Sequence, residues 1–186
     1  MEGQFEMKIV VLAGGLSPER NVSLSSGAMV TEALRSRGHQ AALVDMYFGL
    51  EGGGADESFF DAPISEAYKK VSRQAPDLEE VRRSRPGDSG SLFGPGVLEL
   101  CRMADLVFLA LHGTCGEDGR VQAAFELLGI PYTGAGYLGS AIAMDKDLTK
   151  RMVADVVSTP GWKTVEYTEG DIEGLVKTAR LPLVVK

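Results

Sequence analysis

The densest chemistry in the chain lies in one short stretch, His112-Gly113-Thr114-Cys115-Gly116-Glu117-Asp118-Gly119, directly after the apolar run Leu106-Val107-Phe108-Leu109-Ala110-Leu111. An imidazole, a thiol and two carboxylates share a glycine-rich turn. In an open α/β sheet, ligands bind in the crevice beyond the carboxyl ends of the strands, which is where such a turn sits. His112 at this place can position a ligand or stabilise charge. Glu117 reads as an organiser of the turn, and Asp118 as an acid capping the helix that follows. Cys115 beside a histidine resembles an activated nucleophile. A histidine three residues away on a tight turn need not face it, however, and no third partner is visible, so the thiol is set aside.

A second turn, Gly14-Gly15-Leu16-Ser17-Pro18-Glu19-Arg20, also follows an apolar run and precedes a helix. It has neither the G-x-G-x-x-G spacing of a dinucleotide loop nor the G-K-[ST] of a P-loop. Its chemistry therefore rests on Glu19. That carboxylate either holds a substrate ammonium group or complements the positive end of the helix. The two turns are close in space if their strands are neighbours. Lys146 and Lys186 complete the candidates. Solvent is the usual surrounding of a lysine, but Lys186 ends the apolar run Leu183-Val184-Val185, and a lysine at the end of a buried strand wants an anion such as phosphate. His39 precedes a strand and carries no further signal.

These residues need elements to position them. Met7-Lys8-Ile9-Val10-Val11-Leu12-Ala13 is the continuous apolar run of a strand covered on both faces. A helix follows through Leu34 with Gly38 ending it, then a strand from about Gln40 to Asp45. This order implies a parallel sheet with a right-handed crossover. From Tyr47 to about Pro95 the pattern weakens into an insertion on the sheet edge, with one short helix between Ile64 and Arg85. Its cluster Arg82-Arg83-Arg85 reads as a solvated face. A short helix from Gly96 to Met103 leads into the Leu106 strand. Another runs from Asp118 through Leu128, and Ile130-Pro131-Tyr132 enters a short strand. Thr133-Gly134-Ala135-Gly136 reads as a hinge, which places domains at 1–133, with the insertion 47–95, and at 134–186. The second is expected to be helical from 137 to 157 with a break at Asp145-Lys146-Asp147. Strands are expected at 162–167 and 181–186, with a helix at 171–179 between them.

The bulk composition narrows the classes. The chain has 186 residues, 44% hydrophobic and 24% charged, the balance of a globular protein. A net charge of -7 argues against nucleic acid or an anionic membrane as the main partner. Two cysteines, Cys101 and Cys115, make neither a disulfide scaffold nor a metal-ligand spacing. No apolar run approaches the roughly 20 residues of a membrane span, and no signal peptide opens the chain, so a cytoplasmic location is the default.

Together these blocks resemble the D-alanine–D-alanine ligase family. Gly14 to Ser23 is similar to its first motif, and His112 to Ala123 matches its H-G-x-x-G-E-D-G signature. Pro131-Tyr132-Thr133-Gly134, Met144-Asp145-Lys146 and Leu181 to Lys186 follow in the family's order. The resemblance covers about 1–48 and 95–186. It implies an α/β fold, a Rossmann-like parallel-sheet (pre-ATP-grasp) domain followed by an incomplete α+β ATP-grasp central subdomain. It also implies an ATP-dependent ligase of peptidoglycan synthesis, in which one D-alanine is activated as an acyl phosphate and attacked by the amine of a second. By the same resemblance Glu19 holds the ammonium of the first D-alanine. His112, with Gly113, sits at the reacting carboxylate, and Gly116, Glu117 and Asp118 fix the turn. Lys146 and Lys186 contact ATP phosphates. Mg2+ is expected from acidic ligands downstream of Lys186, with no metal site in this chain. A homodimer through the N-terminal domain is also implied. Because the covering loop, the metal ligands and the second D-alanine's site would lie downstream, the 186-residue chain is expected to be an inactive N-terminal part. The choice among D-alanine, D-lactate and D-serine as second substrate would be made there too. The alternatives are a non-catalytic binding or dimerisation module that keeps this fold, and a nucleotide-dependent oxidoreductase, which the missing fingerprint disfavours.

Overall fold

The computed structural model describes residues 5–72, 74–85 and 90–185. Three strands form one parallel sheet in the order β2-β1-β3, with β1 spanning Lys8–Ala13, β2 Gln40–Asp45 and β3 Leu106–Leu109. β1 takes the middle because its side chains are apolar in both directions. Ile9, Val11 and Ala13 face one core, while Val10 and Leu12 face the other. Each fully buried Val or Leu of this kind contributes about 1.5–3 kcal/mol.

Helix α1, Arg20–Ser36, crosses from β1 to β2 and covers the first of these faces. Gly27 lets it come close: a Cβ there would stand 2.7 Å from the Ala13 Cβ and 2.8 Å from Leu43 Cδ1. Gly38, in the left-handed region at φ +83°, turns the chain out of the helix and into β2. The opposite face is covered by α3, Val97–Met103, and α4, Arg120–Leu128, through Val97, Leu100, Val121 and Phe125. Gly129 ends α4 in the left-handed conformation, and Val107 then pairs with Tyr132 through a single parallel bridge. The strand expected at Ile130–Tyr132 is thus reduced to that bridge.

The insertion is bound into the fold. Its two ends meet where Gly94 N–H donates to the Met46 carbonyl (2.8 Å) and Leu50 N–H to that of Pro95 (2.8 Å). A 3-10 turn, Glu57–Asp61, lies on the edge strand β2 and buries Phe60 completely. Arg35 of α1 holds this turn by donating to the carbonyls of Ala41, Phe60 and Ala62. A second 3-10 turn, Glu66–Lys69, and helix α2, Leu78–Ser84, make up the rest of its regular structure. The reading of Arg82-Arg83-Arg85 as a solvated face needs correction at Arg85, which is buried. Its guanidinium lies over the Tyr47 ring and donates to the carbonyls of Ser91 and Phe93. Arg82 does remain outside, paired with Glu79.

The chain divides into two compact units, Met1–Asp145 and Lys146–Lys186, and the segment from Thr133 to Asp145 goes with the first. The reason is helix α5, Tyr137–Met144, which packs on α4. Gly119 (φ +86°) passes so close to the Tyr137 carbonyl that a Cβ would overlap it. Glu126 of α4 accepts hydrogen bonds from Tyr132 Oη (2.7 Å) and from the Tyr137 N–H that opens α5 (3.2 Å). Partial burial and the Glu126 bond push the Tyr132 phenol up to about 12.

The second unit holds α6, Lys146–Val153, and α7, Ile172–Thr178. Asp147 joins α6 to the chain after it, accepting from Trp162 Nε1 (2.7 Å), Thr164 Oγ1 (2.8 Å) and Arg151 Nε (2.7 Å). The strands expected at 162–167 and 181–186 are not formed among the described residues. A strand has its hydrogen bonds satisfied only by a neighbour, and neither segment has one here. No described residue of this unit is buried.

Candidate functional site

β1 and β3 are neighbours, so their two glycine turns lie side by side at the carboxyl edge of the sheet. Ser17 joins them: its Oγ donates to the His112 carbonyl at 2.9 Å and accepts the Glu19 N–H at 3.3 Å. Glu19 stands at the N-terminal boundary of α1 without capping it, since its side chain accepts no bond from the helix backbone. The carboxylate instead reaches across to the second turn, where Oε2 lies 2.9 Å from the point a Gly113 Cβ would occupy. Gly113 (φ +71°) is therefore needed twice, for its backbone conformation and for the room it leaves Glu19. Glu19 is exposed and His112 half-buried, so both are open to a small ligand at this edge.

The second turn is built by its own acids. Glu117 Oε2 accepts the Gly113 N–H at 2.7 Å. Asp118 accepts the N–H groups of Cys115 (2.9 Å) and Arg120 (3.2 Å), and pairs with Arg120 Nε at 3.5 Å. Gln122 of α4 donates to the Gly116 carbonyl at 2.7 Å. Cys115 is bent into the left-handed region at φ +71° and buried, its thiol 3.8 Å from Arg120 Nη1. The other thiol, Cys101, is pushed up to about 12 by burial, which leaves it no nucleophile at neutral pH.

Reading residues one by one missed what anchors the first turn. Arg20 and Asp45 are both buried and joined through both guanidinium Nη atoms. Arg20 Nη1 also donates to the Gly15 carbonyl (2.8 Å), and Ser23 Oγ links the Gly14 N–H (2.8 Å) to the Ala110 carbonyl (2.7 Å). Gly14 (φ +75°) leaves the space for this: a Cβ there would stand 2.8 Å from Asp45 Oδ1. A carboxylate following the apolar run Ala41-Ala42-Leu43-Val44 of β2, opposite Ala13, was the signal available.

The edge thus presents an exposed carboxylate from Glu19, the His112 imidazole and backbone polar groups around Gly113. That set suits a small zwitterion, with ammonium toward Glu19 and an anionic group toward the imidazole. Of the lysines expected at a nucleotide, Lys146 opens α6 with an exposed side chain, and Lys186 lies outside the described residues. Among the described residues no three His, Cys, Asp or Glu side chains cluster as a metal site.

A family model for the D-ala D-ala ligase N-terminus matches residues 8–135. The D-alanine–D-alanine ligase of Lacticaseibacillus casei is 46% identical over 167 residues, covering 88% of this chain and 46% of that protein. The enzyme of Moorella thermoacetica is 35% identical and covers 97% of this chain and 46% of the relative. Among solved structures, the ligase of Coxiella burnetii superposes with a TM-score of 0.57 at 26% identity, over 92% of this chain and 49% of that one. That of Bacillus anthracis, complexed with ATP, superposes with a TM-score of 0.53 at 26% identity, over 90% and 46%. The chain spans about half the length of the relatives it matches. With its paired glycine turns, parallel sheet and these matches, the chain belongs to the D-alanine–D-alanine ligase family, in the N-terminal region of that family.

Proposed function

We propose that this chain supplies the first-substrate half of an ATP-dependent D-alanine–D-alanine ligase that serves peptidoglycan precursor synthesis. The observation that carries this is Glu19, an exposed carboxylate that leaves its own helix uncapped and reaches to Gly113. It holds the ammonium of the first D-alanine, whose carboxylate then lies toward His112 and the Gly113 backbone. A carboxylate is a poor acyl donor; ATP converts it to an acyl phosphate, which gives the second amine a leaving group to displace. His112 stabilises the negative charge that gathers beside it, and Gly116, Glu117 and Asp118 hold its turn still.

Lys146 and Lys186 are the ATP-phosphate contacts of this reading. The ATP-bound relative from Bacillus anthracis supports nucleotide use in the family. Of these two lysines, Lys146 opens α6 among the described residues, and the acidic ligands that would hold Mg2+ are expected from the rest of the ligase. The second unit supports a larger ATP-grasp whole. Its apolar side chains lie open, with Val156 at 80%, Leu181 at 84% and Val185 at 84% exposure. Such groups favour cover, and the rest of the ligase is the cover proposed. By this reading the 186 residues alone bind the first D-alanine without completing the reaction, and the whole enzyme is a cytoplasmic homodimer.

The test is D-alanine binding to the 186-residue chain, followed by NMR at the Gly113 amide. D-Alanine is expected to bind and propionate, which lacks the ammonium, to bind far more weakly. Glu19→Gln should lose about tenfold or more in affinity, the scale of a charge-assisted bond. Unchanged D-alanine affinity in Glu19→Gln would overturn the assignment.

A further inference from the structure

A stack of charged and aromatic groups connects the insertion to the first glycine turn. At its far end is Arg85, whose guanidinium donates to the carbonyls of Ser91 (2.5 Å) and Phe93 (3.1 Å) and lies 4.7 Å over the Tyr47 ring. Tyr47 meets Phe48 edge-on, with centroids 5.8 Å apart and planes at 70°. The face of Phe48 lies 4.7 Å from Arg20 Cζ. Arg20 in turn holds the Gly15 carbonyl and Asp45. Asp45 closes the stack on itself, because the Oδ1 that pairs with Arg20 also accepts the N–H groups of Tyr47 (2.9 Å) and Phe48 (3.2 Å).

We propose that Arg85 is a positioning residue for the ammonium site, acting through Tyr47 and Phe48 on Arg20 and so on the turn that carries Ser17 and Glu19. This rests on the reading of Glu19 as the ammonium partner. Arg85 itself touches no ligand. An arginine suits the place because its plane can donate to two carbonyls while its face stacks on a ring. A lysine keeps the charge but not the fork, and a methionine keeps only the bulk. The insertion is then part of the site's scaffold, since it fixes the orientation of the one guanidinium that grips the Gly15 carbonyl.

The experiment compares the wild-type 186-residue chain with Arg85→Met, Arg85→Lys and Phe48→Leu by NMR. The two readouts are solvent exchange of the Arg20 guanidinium protons and D-alanine affinity. Arg85→Met should speed Arg20 exchange and weaken D-alanine about tenfold, the scale of one desolvated cation–π contact. Amide exchange in β1, the middle strand of the sheet, should stay as in the wild type, which a generally loosened fold would not allow. Arg85→Lys should recover part of the loss, and Phe48→Leu, which cuts the stack at its middle, should reproduce it. If Arg85→Met does not fold, Phe48→Leu carries the test. Unchanged Arg20 exchange or unchanged D-alanine affinity in a folded variant would overturn the proposal. If the wild-type chain itself fails to bind D-alanine, the Glu19 reading falls, while Arg20 exchange still decides whether the stack couples the two segments.

Discussion

At the scale of single residues, the site depends on groups that never face a ligand. The buried pair Arg20–Asp45 fixes the Gly15 carbonyl, and its value lies in being complete. Removing one partner of such a pair leaves a buried charge uncompensated, at a cost of about 3–5 kcal/mol. Asp45→Asn should therefore lower the urea-unfolding free energy by about that amount. A loss below about 1 kcal/mol would show that Arg20 finds other acceptors. The glycines of both turns, and the role of Glu117 and Asp118 as acceptors within their own turn, could be read locally, because turn chemistry acts over a few residues. Arg85 could not. A run of arginines looks solvated by itself, and what buries Arg85 is Tyr47 and the carbonyls of Ser91 and Phe93.

At the scale of elements, hydrophobic periodicity placed the three strands and α1, α3 and α4 well, since each owes its position to an apolar face. The insertion is where local reading weakened. Its regular structure is two 3-10 turns and one short helix, too short for a period to show. Among its described residues Phe60 is the most deeply buried side chain, and Leu50, Phe59, Leu92 and Phe93 pack on the same core around it. Phe60→Ala should cost about 3–5 kcal/mol in stability, as truncation of a buried aromatic does. Chemical unfolding checks it, and a change under 1 kcal/mol would mean the insertion sits on the sheet without supporting it. The expected strands at 162–167 and 181–186 failed for a different reason: their β-branched residues suit a sheet, but a strand requires a partner to accept and donate its backbone bonds.

At the scale of the whole chain, the two units differ in what holds them. Met1–Asp145 has two buried cores around its sheet, whereas Lys146–Lys186 is tied by polar contacts around Asp147. Hydrogen bonds from Trp162, Thr164 and Arg151 hold the Asp147 carboxyl down to about 2, from an ordinary 3.8. With the folded value depressed, ionised Asp147 favours the folded unit above about pH 4, and that contribution fades as pH falls through about 2. Trp162 is the single tryptophan of the chain, so its fluorescence reports this contact. Emission should shift as pH drops toward 2, and Asp147→Asn should show a shifted spectrum already at pH 7 and little change between pH 4 and 2. A wild-type titration curve in Asp147→Asn would refute the link. Among the described residues no helix is long and apolar enough to cross a membrane.

The sequence by itself determined the parallel sheet, the two glycine turns at its edge and the family, because apolar periodicity, turn chemistry and motif order are written in neighbouring residues. Tertiary structure decided the rest. It set Glu19 against Gly113, buried Arg20 with Asp45, closed the insertion over Phe60 and packed α5 onto α4. Each of these joins groups far apart along the chain. Whether a charge is solvated or buried, and whether a strand finds its neighbour, depends on what the fold brings beside it.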